Sequence, residues 1–131
     1  MTRATRKADR FEAQGYLEAA LEFQEAAEES AGRGRWRAAG LAAIHAAIAA
    51  GDAVCVFQLG ERSTATSHED GSDLLRRSRA PSAAERATQL SAVLDLKSKV
   101  EYESRAVAEE EARLLVKRSR RLVDWAGEVV R

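Results

Sequence analysis

Apolar residues recur along this chain at three and four spacing, the signature of helices packed by one face. Between about Lys7 and Ala31, the residues Ala13, Tyr16, Leu17, Ala20, Leu21, Gln24 and Ala27 share one side of a helix, while Glu18, Glu22, Glu25 and Glu29 take the other. Gly32-Arg33-Gly34 then stops the helix and permits a tight reversal, which predicts an αα-hairpin. A second helix, about Arg35 to Leu59, carries two stripes. Leu41, Ile44, His45, Ile48, Asp52, Cys55 and Leu59 form one; Ala39, Ala43, Ala46, Ala50, Ala53 and Phe57 form the other. A helix apolar nearly all round is buried on more than one side, and its alanine face admits a close neighbour, either within the bundle or across a dimer.

Gly60 to Thr66 reads as a polar connection, after which Ser67 and Asp70 are placed to cap a short helix of about His68 to Arg79, anchored by Leu74 and Leu75. Ser82-Ala83-Ala84-Glu85, directly after Pro81, repeats the capping-box pattern and predicts a fourth helix with Leu90, Val93, Leu94 and Lys97 on its inner face. Beyond a break at about Glu103 to Val107, the residues Ala112, Leu115, Val116, Ser119, Leu122, Val123, Ala126, Val129 and Val130 form a regular seam. The acidic run Glu109 to Glu111 complements the dipole at that helix's start. The pattern predicts an all-α, up-and-down helical bundle of four long helices plus one short helix, a single domain over residues 1–131 with 1–7 frayed.

Composition leaves strands almost no room. The chain has 131 residues, one proline, and abundant Ala, Glu, Arg and Leu, which favour helix. Lys plus Arg number 21 and Asp plus Glu number 21, so no overall positive charge points to nucleic acid. One cysteine allows no internal disulfide, and a cytoplasmic, reducing compartment fits best. The longest apolar stretch, Ala38 to Leu59, is alanine-rich and interrupted by His45, Gly51 and Asp52, so membrane insertion is not expected.

Candidate chemistry is sparse. His45 and Asp52 lie seven apart on one helix face, about 10 Å of rise, too far for contact, and are expected to be buried polar groups satisfied by neighbours such as Tyr16, Ser119 or Lys97. Cys55 falls on an inward stripe and reads as core. No spacing of His and Cys suits zinc, no glycine-rich phosphate loop is present, and no cofactor is implied. The basic strip Arg113, Lys117, Arg120 and Arg121 reads as a solvated face.

Three segments together resemble the HEPN domains, the higher-eukaryote and prokaryote nucleotide-binding helical bundles. Arg37 to Ala47 resembles their second-helix signature, and Ser67-His68-Glu69-Asp70 the polar start of their short middle helix. Asp95-Leu96-Lys97-Ser98-Lys99-Val100-Glu101-Tyr102 resembles the family's L-R-x-x-A-D-Y element, followed by Val107 and Glu109 to Ala112 where the last helix begins. In its ribonuclease members, an Arg and a His four to six residues later face a dimer cleft and cut RNA. Here Lys97 stands at the arginine position and Tyr102 at the histidine position. Lysine lacks the guanidinium fork, and tyrosine, with a reference pKa of about 10, is a poor base near neutrality.

The resemblance therefore implies a non-catalytic association and binding module: a homodimer, acting with a nucleotidyltransferase-like partner protein or holding a nucleotide. Lys97, Tyr102, His68 and His45 are the expected binding residues. The alternative is a toxin-type HEPN ribonuclease, of the kind found in toxin–antitoxin pairs, cleaving RNA by acid-base catalysis through Arg62 and His68, whose spacing matches, or through Lys97 and Tyr102.

Overall fold

The computed structural model describes residues 5–64 and 68–130, and for 68–70 the backbone alone. In chain order it runs β1 (Thr5–Lys7), a single 3-10 turn (Arg10–Glu12), α1 (Ala13–Gly32), α2 (Trp36–Leu59), β2 (Glu61–Ser63), α3 (His68–Arg76), α4 (Ala83–Leu94), α5 (Lys97–Tyr102) and α6 (Glu109–Val130). The fold is predominantly all-α, a helical bundle with one small two-stranded sheet.

The reversal between α1 and α2 forms as the glycines dictate. Gly34 takes a left-handed φ of 71°, and the Arg35 N–H donates back to the Ser30 carbonyl at 2.9 Å. The two helices then run antiparallel, so that Phe23 meets His45 while Arg10, ahead of α1, covers Phe57. α6 returns beside α1, pairing Gln24 with Ser119 and Glu28 with Arg120. The core lies among these three helices. Its centre is the alanine stripe of α2: Ala39, Ala43, Ala46, Ala50 and Ala53 have no exposed surface. Small side chains let α1 and α6 come close, and that closeness is why the alanine face packs within the bundle. α2 alone among the described residues is long and apolar enough to cross a membrane, and 67% of that stretch is buried in the bundle.

Four sequence expectations are corrected. Thr5–Lys7 is strand rather than frayed chain, and pairs antiparallel with Glu61–Ser63 inside the expected polar connection. Gly60 makes this possible: at φ 70° it ends α2, and its carbonyl accepts from the Ala8 N–H at 2.9 Å, which aligns the strands. The fourth helix stops at Leu94, and Lys97 to Tyr102 form a separate helix. Ser82 precedes α4 as expected but sits at φ 64° and makes no side-chain cap. Finally, the stripe of larger side chains on α2 is the shallower one: Ile44 and Cys55 are buried, whereas Leu41, His45, Ile48, Asp52 and Leu59 are half-exposed. Ser67 and the side chains of His68 and Asp70 lie outside the described residues.

Candidate binding surface

The half-exposed stripe of α2 borders a matching stripe of α1, Tyr16, Ala19 and Phe23, at the same seven-residue, two-turn spacing. Together they make a strip with polar groups at both ends and Ala19 and Ile48 between. α5 borders the first end. Its placement follows from Val100, which is buried and would lie 3.3 Å from a Cβ at Gly40, a tight contact that glycine in α2 avoids. Arg37 of α2 donates to the carbonyls of Val100 and Arg105, fixing the end of α5 and the chain beyond it. Lys99 pairs with Glu111 of α6. With Val100 inward and Lys99 tied to α6, Lys97, Glu101 and Tyr102 are left at the surface.

At this end the Lys97 Nζ donates to Glu101 Oε2 at 2.7 Å and lies 5.9 Å from the centre of the Tyr102 ring. The hydrogen bond to Glu101 raises the Lys97 pKa, and burial opposes it. Glu101 is held below the usual carboxylate range by Lys97 first and the Tyr102 hydroxyl second, with His45 adding a smaller pull. Tyr102 itself is 73% exposed. His45 is not the buried, hydrogen-bonded residue expected from the sequence: it is half-buried, its ring 5.5 Å from that of Phe23 at a 32° tilt, and Ser119 is engaged by Gln24 instead. The reason is the inverted burial of α2, which places position 45 at the rim.

At the second end, Asp52 faces Arg62 of β2, and Arg62 lies over Tyr16 with 5.6 Å between its guanidinium carbon and the ring centre. Burial pushes the Asp52 carboxyl up to about 7, against the pull of Arg62. Cys55, one turn on, is core as expected; burial first, then Asp52 and Glu61, push its thiol up to about 12, so it stays protonated.

The structure thus brings Lys97, Tyr102 and His45 to one region, joined through Glu101, and leaves Arg62 at the far end of the strip. Phe23 and Glu101 were missed. Phe23 lies off the stripe that marked the first helix, and Glu101 became visible as a partner only once α5 separated from α4. A recess of about 710 Å³ lined by Arg10, Phe11, Gln14, Phe57 and Val130 lies elsewhere, beside the start of α1, and holds none of the expected residues. Among the described residues no three His, Cys, Asp or Glu side chains converge as metal ligands. Comparison with protein-family models, with curated proteins and with solved structures finds no match.

Proposed function

We propose that the chain is a non-catalytic, HEPN-like binding module that works as a cytoplasmic homodimer and holds a nucleotide against the face of Phe23, His45, Lys97 and Tyr102. The observation that carries this reading is the pairing of Lys97 with Glu101 beside the exposed Tyr102 ring. A stacking surface next to a lysine suits a base and its phosphate. The same pairing argues against proton transfer there. Among the described residues the carboxylate hydrogen-bonded to Lys97 is that of Glu101, and Lys97 holds it ionised rather than poised to take a proton. Leu21, 46% exposed on α1 and outside that face, is apolar surface a second copy would cover, or a nucleotidyltransferase-like partner in its place.

The test pairs binding with cleavage. A fluorescent adenosine nucleotide titrated into the full chain should bind saturably, and Tyr102→Ala should weaken it about tenfold, the loss of one stacking contact. Incubation with mixed RNA should give no cleavage above background. RNA cleavage by the parent that vanishes in Tyr102→Phe, Arg62→Ala or His68→Ala would instead establish the ribonuclease alternative. Light scattering at micromolar concentration that gives a 14.3 kDa species removes the homodimer.

A further inference from the structure

The far end of the strip holds a second cluster, independent of the α5 face. Arg62 is paired with Arg6 across the two-stranded ladder, and directly opposed residues project from the same side of a sheet. Two like charges so placed repel. Among the described residues, the hydrogen bond of Arg62 goes to its own neighbour, the Ser63 carbonyl, at a long 3.4 Å, and its Nε is buried with no partner. Asp52 faces Arg62 closely enough to feel its charge, yet the two close no ion pair, and Asp52 makes no hydrogen bond to a described residue. A guanidinium and a carboxyl that lie within range of each other's charge without pairing leave donors and acceptors free for a third group. That group must be anionic to relieve the arginines, and must share a proton with the carboxyl.

We propose that Arg6, Arg62 and Asp52 form a binding site for a phosphate group that carries an ionisable proton. Its oxygens accept from the outer nitrogens of Arg62 and from Arg6, with Tyr16 supporting the flat guanidinium from below. One proton is shared with Asp52. Below neutrality the protonated carboxyl donates to a phosphate oxygen; above it the P–OH of hydrogen phosphate donates to the carboxylate. No bond other than these hydrogen bonds forms or breaks. Arg62 of β2 is the charge that acts on Asp52; around it, the neutral Cys55 thiol on α2 feels Asp52, Glu61 of β2 and Arg77 just after α3, Tyr16 of α1 lies under Arg62, and α4 brings the apolar Leu90 against Gly51. Sulfate is the natural contrast, because it has no proton to give at neutral pH and needs Asp52 protonated.

Calorimetric titration of the full chain with inorganic phosphate and with sulfate, at pH 6 and pH 8 and constant ionic strength, tests the site. Phosphate should bind at one site per chain at both values. Sulfate should bind at pH 6 and lose about tenfold or more at pH 8, and Asp52→Asn should abolish that loss. Arg62→Gln should weaken phosphate about tenfold. If Arg62→Gln melts early, Arg6→Ala decides, since Arg6 is exposed and its loss should weaken phosphate about threefold without affecting the core. Sulfate matching phosphate at pH 8, phosphate binding unchanged in Arg6→Ala and Arg62→Gln, or no saturation by about 10 mM phosphate would each overturn the proposal.

Discussion

Along the edge of α1 that meets α6, Gln24 has no exposed surface, and both its amide nitrogen and its carbonyl oxygen are engaged. Its Nε2 donates to Glu28 Oε2 at 2.9 Å and to the Val116 carbonyl at 3.1 Å, and its Oε1 accepts from the fully buried Ser119 hydroxyl at 2.5 Å. Arg120 closes the edge on the outside with two 2.8 Å hydrogen bonds to Glu28. Along the edge that borders the rim of α2, Tyr16, Phe23, His45 and Asp52 are half-exposed or exposed, and Asp52 is left without a hydrogen bond to a described residue. The first edge is sealed and the second is open. A buried polar group that finds its partners inside the fold serves the fold, whereas one left partly open and unpaired is available to something outside it.

The largest effect should fall on the sealed edge. Gln24→Ala removes a packed side chain, takes its donors from Glu28 and the Val116 carbonyl, and leaves the Ser119 hydroxyl only that carbonyl to donate to, at a cost of about 3 kcal/mol in denaturant unfolding. Combining Gln24→Leu with Ser119→Ala replaces both partners by apolar groups and should recover most of that loss. A cost below about 1 kcal/mol for Gln24→Ala would mean that water reaches this seam.

The open edge should respond in the opposite sense. Burial raises the Asp52 pKa to about 7 from an ordinary 3.8. The folded state therefore binds the proton more tightly than the unfolded chain, and the stability this gives is complete below pH 3.8 and lost as pH rises through 7. At pH 8 the folded protein carries a poorly solvated carboxylate. Asp52→Asn should then stabilise it by about 1–2 kcal/mol at pH 8, allowing for screening at a part-exposed position, and by little at pH 4. Thermal melts at the two pH values check this, and a gain that does not depend on pH would remove Asp52 from the comparison.

The difference between the edges was only half legible in the sequence. Three-and-four spacing located the buried face of α1 at Ala13, Leu17, Ala20, Gln24 and Ala27, although Tyr16 and Leu21, expected on the same face, are half-buried and exposed at its margins, and it located the seam of α6 from Ala112 to Val130, because a helix with one apolar face has one way to bury it. For α2, two faces were apolar, and periodicity does not rank them. Close approach ranked them: alanine admits two helices at once, so the stripe with the larger side chains, His45 among them, was pushed to the rim. The β1–β2 pairing was hidden because three residues carry no readable alternation and the partners are more than fifty positions apart. Lys97 and Tyr102 were visible as candidates, but Glu101, which decides what Lys97 does, was not.

His45 sharpens the contrast with Gln24. With its ring against Phe23 and its exposure partial, His45→Ala should cost only about 0.5–1 kcal/mol, the aromatic contact and a little area, where Gln24→Ala costs several times more. Nucleotide binding, by contrast, should fall. A large loss of stability in a urea melt, or unchanged binding, would place His45 in the fold rather than on the surface.

The smallest effect should come from the outer closure of the sealed edge. Arg120 and Glu28 are joined by a two-pronged ion pair, but their side chains are 39% and 43% exposed, so water and salt screen most of the attraction. Arg120→Ala should cost about 0.5 kcal/mol at low salt and less at 1 M. Arg120 holds the Glu28 pKa below 4.5, with Gln24 helping and burial opposing. Such a depressed carboxyl contributes stability that is present above pH 4.5 and lost as pH falls through its folded value. The cost of Arg120→Ala should therefore shrink towards acid pH, the reverse of the Asp52 profile. If Arg120→Ala cost as much as Gln24→Ala, or ignored salt, the seal would lie in the ion pair rather than in the buried amide and hydroxyl beneath it.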